Sequence, residues 1–197
     1  MSVALYPLMA YSFINSSTPG PNTIMLAASG VNFGFRKTIP HMLGVYFGFL
    51  FMLTVVCFGL GQIFEQIPQL QLIMKYAGSA YLLYLAWRIA RAGEVSDTTV
   101  AKPLTFFQAA LFQYINPKAW IIAGTIPATF STGPGLSLLD IALLVGGHAA
   151  VSIPPIVFWV IAGTQLRRFL SSSLSRRIFN GTMGLLLVGT VVLILTE

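Results

Sequence analysis

Charge is what this chain has least of. Only 8% of its 197 residues are charged, against 56% hydrophobic residues and a mean hydropathy of +0.81. A soluble domain carries roughly 25% charged residues to cover its surface, so a water-soluble globule is excluded. Acids are scarcer than bases, 5 against 11, and the net charge of +6 would suggest nucleic acid if the protein were soluble. In a membrane protein the same excess marks cytoplasmic loops instead, and no nucleic-acid partner is expected. Cysteine is nearly absent. Cys57 stands alone in an apolar run, which excludes an intramolecular disulfide and a Cys-based metal cluster and leaves it a packing residue. No Lys or Arg precedes Arg36, so the basic start of a secretory signal is missing. The first hydrophobic segment is therefore expected to be retained, although Ala27-Ala28-Ser29 resembles a cleavage site. There is no P-loop to hydrolyse ATP, and no cofactor or metal is expected.

What the chain does have is long uncharged runs: residues 1–35, 38–64, 119–139, 141–166 and 178–196. Two more, 66–87 and 103–117, contain or adjoin a single lysine (Lys75 and Lys118). About 20 apolar residues cross a hydrocarbon core of about 30 Å as a helix. Joining 103–117 to 119–139 gives six spans near 4–30, 40–63, 70–89, 105–130, 139–163 and 178–196. A transmembrane barrel would show short alternating segments instead. The expected fold is an all-α integral membrane protein with one transmembrane domain over residues 1–197.

Basic residues collect on one side. Arg36 and Lys37 lie between the first two spans, Arg88, Arg91 and Lys102 between the third and fourth, and Arg167, Arg168, Arg176 and Arg177 between the last two. On the opposite side, the loop between the second and third spans has only Glu65 and, at the start of the third span, Lys75, which is placed to snorkel, and the loop between the fourth and fifth has no base. The positive-inside rule then puts both termini outside. The polar stretch 92–102 links two three-span halves, about 1–91 and 103–197. Three is odd, so the halves enter the membrane from opposite sides, as an inverted-topology repeat requires.

Both halves interrupt their first span. In Asn15-Ser16-Ser17-Thr18-Pro19-Gly20-Pro21-Asn22, the two prolines release the carbonyls of Asn15 and Ser17, and a new half-helix can start near Asn22. In Gln113-Tyr114-Ile115-Asn116-Pro117-Lys118, Asn116 can cap and Pro117 open a helix, releasing the carbonyl of Gln113. Interruptions at matching places in two halves mark a transporter's binding site. The plainer reading is a pair of packing kinks. On the site reading, Asn15, Thr18, Gly20, Pro21, Asn22, Gln113, Asn116, Pro117 and Lys118 bind substrate. Helix N-termini face its carboxylate, while freed carbonyls and the side chains of Asn22 and Gln113 face its ammonium group. Lys118 either adds charge for the carboxylate, holds the break together, or snorkels from a helix end. His41 and His148 are candidates for proton traffic, with hydrogen-bonded packing as the plainer role. Gly30/Gly34, Gly44/Gly48 and Gly146-Gly147 have the spacing of close helix packing, and Pro154-Pro155 disturbs the fifth span.

Thr18-Pro19-Gly20-Pro21-Asn22, Gly34-Phe35-Arg36, Asn116-Pro117-Lys118-Ala119 and Ala77-Gly78…Tyr81-Leu82…Leu85-Ala86-Trp87 together resemble the LysE/RhtB family of amino-acid exporters. His41-Met42-Leu43-Gly44, Leu85 to Ala90 and Ala101-Lys102-Pro103-Leu104 are most similar to its cysteine/O-acetylserine exporter branch. The resemblance covers essentially the whole chain. It implies efflux of amino acids or small derivatives across the bacterial inner membrane, driven by proton exchange. The implied partners are that substrate, protons and membrane lipid, with self-association left open. Where many family members carry Asp after the second glycine of Gly-x-x-x-Gly, Phe49 follows Gly48 here, so the coupling group differs or coupling is absent. Two other classes are a passive channel for small polar solutes and an intramembrane enzyme. A Ser29/His148 pair for the enzyme lacks the expected glycine, since Ala27 stands two residues before the serine.

The charge distribution makes a topological prediction. Reporter fusions at residue 97 and at the C-terminus should signal opposite compartments. Signals from the same compartment would exclude the inverted six-span arrangement.

Overall fold

A computed structural model describes residues 3–60, 66, 68–92, 102–131, 135–170 and 172–196. Among these the chain is helical throughout: α1 (Leu5–Ser17), α2 (Pro21–Phe33), α3 (Phe35–Val55), α4 (Pro68–Arg91), α5 (Phe106–Phe112), α6 (Pro117–Phe130), α7 (Leu138–Phe169) and α8 (Ser173–Thr196). A wide turn, Val56–Leu60, prolongs α3, and a 3-10 turn, Gln113–Ile115, follows α5. Glu65 and residues 93–101, most of the expected 92–102 linker, lie outside the described residues.

Local chemistry explains the element ends. At the start of α5, the Gln108 N–H donates to Thr105 Oγ1 (3.3 Å) and the Thr105 N–H to Gln108 Oε1 (3.0 Å). Ser137 and Asp140 repeat this reciprocal cap on α7. The first two spans are joined more tightly than the charge pattern suggests. α2 runs on to Phe33, and Gly34 alone turns the chain at φ 82°, a conformation that favours glycine. Arg36 and Lys37 are therefore in the first turn of α3, and Gly34 is a turn residue instead of half a packing pair. α7 extends six residues past the expected 163, giving 32 residues. At 1.5 Å per residue it is about 48 Å long, more than a hydrocarbon core requires. It continues through Pro154 and Pro155.

Among the described residues, three helices are long and apolar enough to cross a membrane: Phe35–Gly59, Leu138–Phe169 and Ser173–Thr196. The exterior carries large apolar side chains, among them Tyr6, Phe51, Phe107, Leu138 and Phe169, while Ser12, Thr38, His41, Gln113, Asn116, His148, Ser152 and Asn180 are buried. A largely apolar outside, around an interior that holds polar side chains among its apolar clusters, is the distribution lipid selects and water disfavours. The chain is an all-α membrane protein.

α2 is the central element. Every residue from Thr23 to Val31 is buried, so it is enclosed on all faces. α7 lies against it through reciprocal glycines: a Cβ on Gly163 would land on the Ala27 carbonyl, and one on Gly30 on the Val160 carbonyl. α3 packs on α5 in the same manner, Gly44 against Phe106 and Gly48 against Ala110, and α7 takes α1 where Gly147 meets Leu5 and Leu8. Gly146 faces open space. α4 pairs with α8, and Cys57 is a free, buried packing residue. Lys75 is half-buried on α4.

Gly163→Ala should therefore lower stability by about 1–3 kcal/mol, because its methyl meets backbone that cannot yield. Gly181→Ala on α8 adds a methyl to open space and should be neutral or raise stability by up to about 1 kcal/mol. Thermal unfolding in detergent micelles compares the two.

Candidate functional site

The first interruption separates α1 from α2. Gly20 is the N-cap and Pro21 the first helical residue, one position before the expected start. Thr23 holds the turn, its Oγ1 accepting from the Gly20 N–H (2.8 Å) and donating to the Gly20 carbonyl (2.9 Å). The carbonyls released by the prolines each find a donor within the protein. Thr18 Oγ1 donates to the Asn15 carbonyl (3.0 Å), and the Trp159 indole donates to that of Ser17 (3.2 Å). Each of these oxygens, expected to face an ammonium group, thus already accepts one hydrogen bond and keeps a second lone pair.

The second interruption has the same plan. Asn116 is the N-cap and Pro117 the first residue of α6. The Gln113 carbonyl accepts from the Asn116 N–H (3.3 Å), and the Trp120 indole donates to the Tyr114 carbonyl (2.8 Å). Here too the released oxygen is occupied. Asn116 makes no side-chain cap, and its Oδ1 is buried without a hydrogen-bond partner.

The residues that follow the two prolines cross between the breaks. Asn22 Nδ2 donates to Gln113 Oε1 (2.8 Å) while Gln113 Nε2 donates back to Asn22 Oδ1 (3.2 Å) and to the Ala109 carbonyl (2.8 Å). Lys118 Nζ donates to Thr18 Oγ1 (2.8 Å) and to the carbonyls of Thr18 (3.1 Å) and Pro19 (3.4 Å). Of the three roles open to Lys118, the geometry is that of holding the first break. Asn22 and Gln113, expected to face an ammonium group, satisfy one another instead.

A cleft of about 610 Å³, counting its open mouth, lies between the breaks. Asn15, Gly20, Asn22, Asn116, Lys118 and His148 line it. Thr18 reaches it through Lys118, Pro21 and Pro117 set the two helix starts behind it, and Gln113 is fully buried behind Asn22. His41 does not line this cleft, so the two histidines are separated. Three lining side chains have buried polar atoms without partners: Asn116 Oδ1, His148 Nδ1 and Ser152 Oγ. His148 stacks on Phe49, with ring centroids 4.6 Å apart. Ser152 was absent from the sequence-derived site. It is four residues after His148 on α7, so the i,i+4 rule puts both on one face and could have found it.

The N–H groups of Asn22, Thr23 and Lys118 have no acceptor within their own helices and carry the partial positive charge of a helix start. The cleft thus offers donors at two helix N-termini and an acceptor at Asn116. That set matches a small zwitterion.

The LysE type translocator family model matches residues 13–197. Similar proteins include a cysteine/O-acetylserine efflux protein of Shigella flexneri serotype 5b, 32% identical over 65% of this chain and 66% of its own length. Another of that name from Escherichia coli K12 is 33% identical over 61% of this chain and 62% of its own length. In both, the chain spans slightly less than two thirds of the relative. One from Klebsiella pneumoniae is 28% identical over 96% of this chain and 95% of its length. No solved structure matches the chain.

The crossed amides yield a stability test. Asn22→Leu strands the buried Gln113 amide and should cost about 1–3 kcal/mol, whereas adding Gln113→Leu should recover part of that loss. Reversible unfolding of the single and double variants in detergent measures it. Additive losses would show that the pair is not coupled.

Proposed function

Because the chain belongs to the LysE type translocator family, we propose that this inner-membrane transporter, which is no enzyme, exports a small amino acid or amino-acid derivative. The relatives' names make cysteine and O-acetylserine the first substrates to try. The observation that carries the reading is the pair of proline breaks on one cleft, with Asn116 Oδ1, His148 Nδ1 and Ser152 Oγ buried there without partners. A buried polar atom without a partner costs about 1–3 kcal/mol, which a zwitterionic substrate would repay.

The substrate carboxylate lies against the first turns of α2 and α6, where N–H groups and helix dipoles converge. Its ammonium group donates to Asn116 Oδ1. Lys118 lends positive charge from the rim while its hydrogen bonds keep α2 starting at Pro21. His148, inside the cleft, carries the exchanged proton, and export is proton antiport.

The architecture proposed is one domain of six spans with both termini outside, α1–α2 and α5–α6 each forming one broken span. Helix packing supports an inverted repeat of 1–91 and 103–197. α3 lies on α5 through Gly44 and Gly48, and its counterpart α7 lies on α1 through Gly147. Exchanging the halves turns one contact into the other.

Inside-out vesicles test the reading. Wild-type protein should accumulate O-acetylserine when the vesicle interior is acidified. Asn116→Ala should lose about 1.5–3 kcal/mol of binding, roughly 10- to 100-fold in affinity. Pro21→Ala and Pro117→Ala should abolish accumulation with normal membrane insertion. Equilibration without dependence on the proton gradient would make the protein a passive facilitator. Wild-type rates in all three variants would reduce the breaks to packing kinks.

A further inference from the structure

A second cavity, of about 430 Å³ with its mouth, lies in tandem with the first along the same two helices. α2 contributes Asn22, Thr23 and Leu26 to the first cleft, and Met25, Ser29 and Asn32 to the second. α3 contributes Val45, Tyr46 and Phe49 to the first, and His41 to the second. Asn22 and Ser29 are seven residues apart, so the cavities are offset by about 10 Å along α2. The second opens toward Arg88 and Lys102, on the side where basic residues collect.

Its chemistry is that of a binding site. His41 is 1% exposed, and neither ring nitrogen has a hydrogen-bond partner. A neutral imidazole has one donor and one acceptor, and leaving both buried and unpaired is destabilising. Simple packing does not account for retaining a histidine on those terms. Ser29 is poised as an acceptor. The Thr38 hydroxyl donates to the Gly34 carbonyl (2.9 Å), so in the Ser29–Thr38 contact (2.9 Å) the proton comes from Ser29, whose lone pairs stay free. Arg88 donates one N–H to the Lys102 carbonyl (3.0 Å). A guanidinium has five, in a fork that suits a carboxylate. Among the described residues, no carboxylate lines the cavity.

We infer that this cavity is a second substrate site, a loading site on the basic side, in which Arg88 takes the carboxylate of the amino acid and Ser29 and His41 receive its ammonium group. From there the substrate moves along α2 and α3 to the cleft between the breaks. The inference rests on the exporter reading, and its test separates the two.

O-acetylserine uptake into inside-out vesicles presents substrate to this side. Arg88→Gln should raise KM about tenfold, more than it lowers the maximal rate. In a Cys57→Ser background, Ser29→Cys should react with a membrane-impermeant methanethiosulfonate, O-acetylserine should slow the reaction at least threefold, and Arg88→Gln should remove that protection. An unchanged KM, or labelling indifferent to O-acetylserine, would overturn the loading site while wild-type uptake kept the exporter reading. Protection by added phosphatidylglycerol alone would assign the cavity to lipid headgroups and overturn the inference. Wild-type vesicles that take up neither O-acetylserine nor cysteine would overturn both readings.

Discussion

Two crossed ties hold the centre of this protein, and the rest of the structure depends on them. Asn22, just after the first proline break, pairs its amide with Gln113, just before the second. Lys118, just after the second, reaches back to Thr18 and Pro19, just before the first. Prolines interrupt two helices where there is no water to satisfy the backbone, and each interruption would be costly alone. Lys118 from the second break meets the carbonyls of Thr18 and Pro19 in the first, while the released carbonyls are met by Thr18, Trp159 and the Asn116 N–H. The ties also fix how far apart the two helix starts are, and so the width of the cleft.

The polar interior is divided into satisfied and unsatisfied groups. Asn32 and Asn180 exchange amide hydrogen bonds, and Asn22 and Gln113 do the same. Such closed pairs rigidify a core and leave each amide with fewer groups for a ligand. Asn116, His148 and Ser152 in one cavity and His41 in the other have atoms without partners. Both kinds are buried to a similar degree, so burial does not tell scaffold from site. Partner accounting together with position does, since Ser12, Ser79 and Ser131 also have buried hydroxyls without partners but line neither cavity.

Enclosing α2 on every face has a consequence for the path through the protein. The small residues Gly30 and Gly163 let α7 close on it. Both cavities border α2, so on the proposed route a solute passing between them follows one helix. The dipole of that helix is positive at Pro21 and negative toward Phe33. A zwitterion meets attraction for its ammonium group at one end and for its carboxylate at the other.

By itself the sequence determined that the chain lives in lipid, that it is helical, and where two helices must break. Each of these follows from local physics: the cost of charge in hydrocarbon, the length of a spanning helix, and a proline ring without an N–H. The breaks at Pro21 and Pro117 were legible for that reason, and with them Asn15, Gly20, Asn22, Asn116 and Lys118 of the cleft. Tertiary structure decided which polar groups are spent and which are free. Thr18 and Trp159 take the released carbonyls, Lys118 braces a turn 100 residues away, His41 belongs to a different cavity from His148, and Ser152 joins the cleft. Hydrogen-bond partners this distant in sequence are set by the angle and approach of packed helices. No local pattern encodes that, because a side chain's donors and acceptors are the same whether or not something meets them.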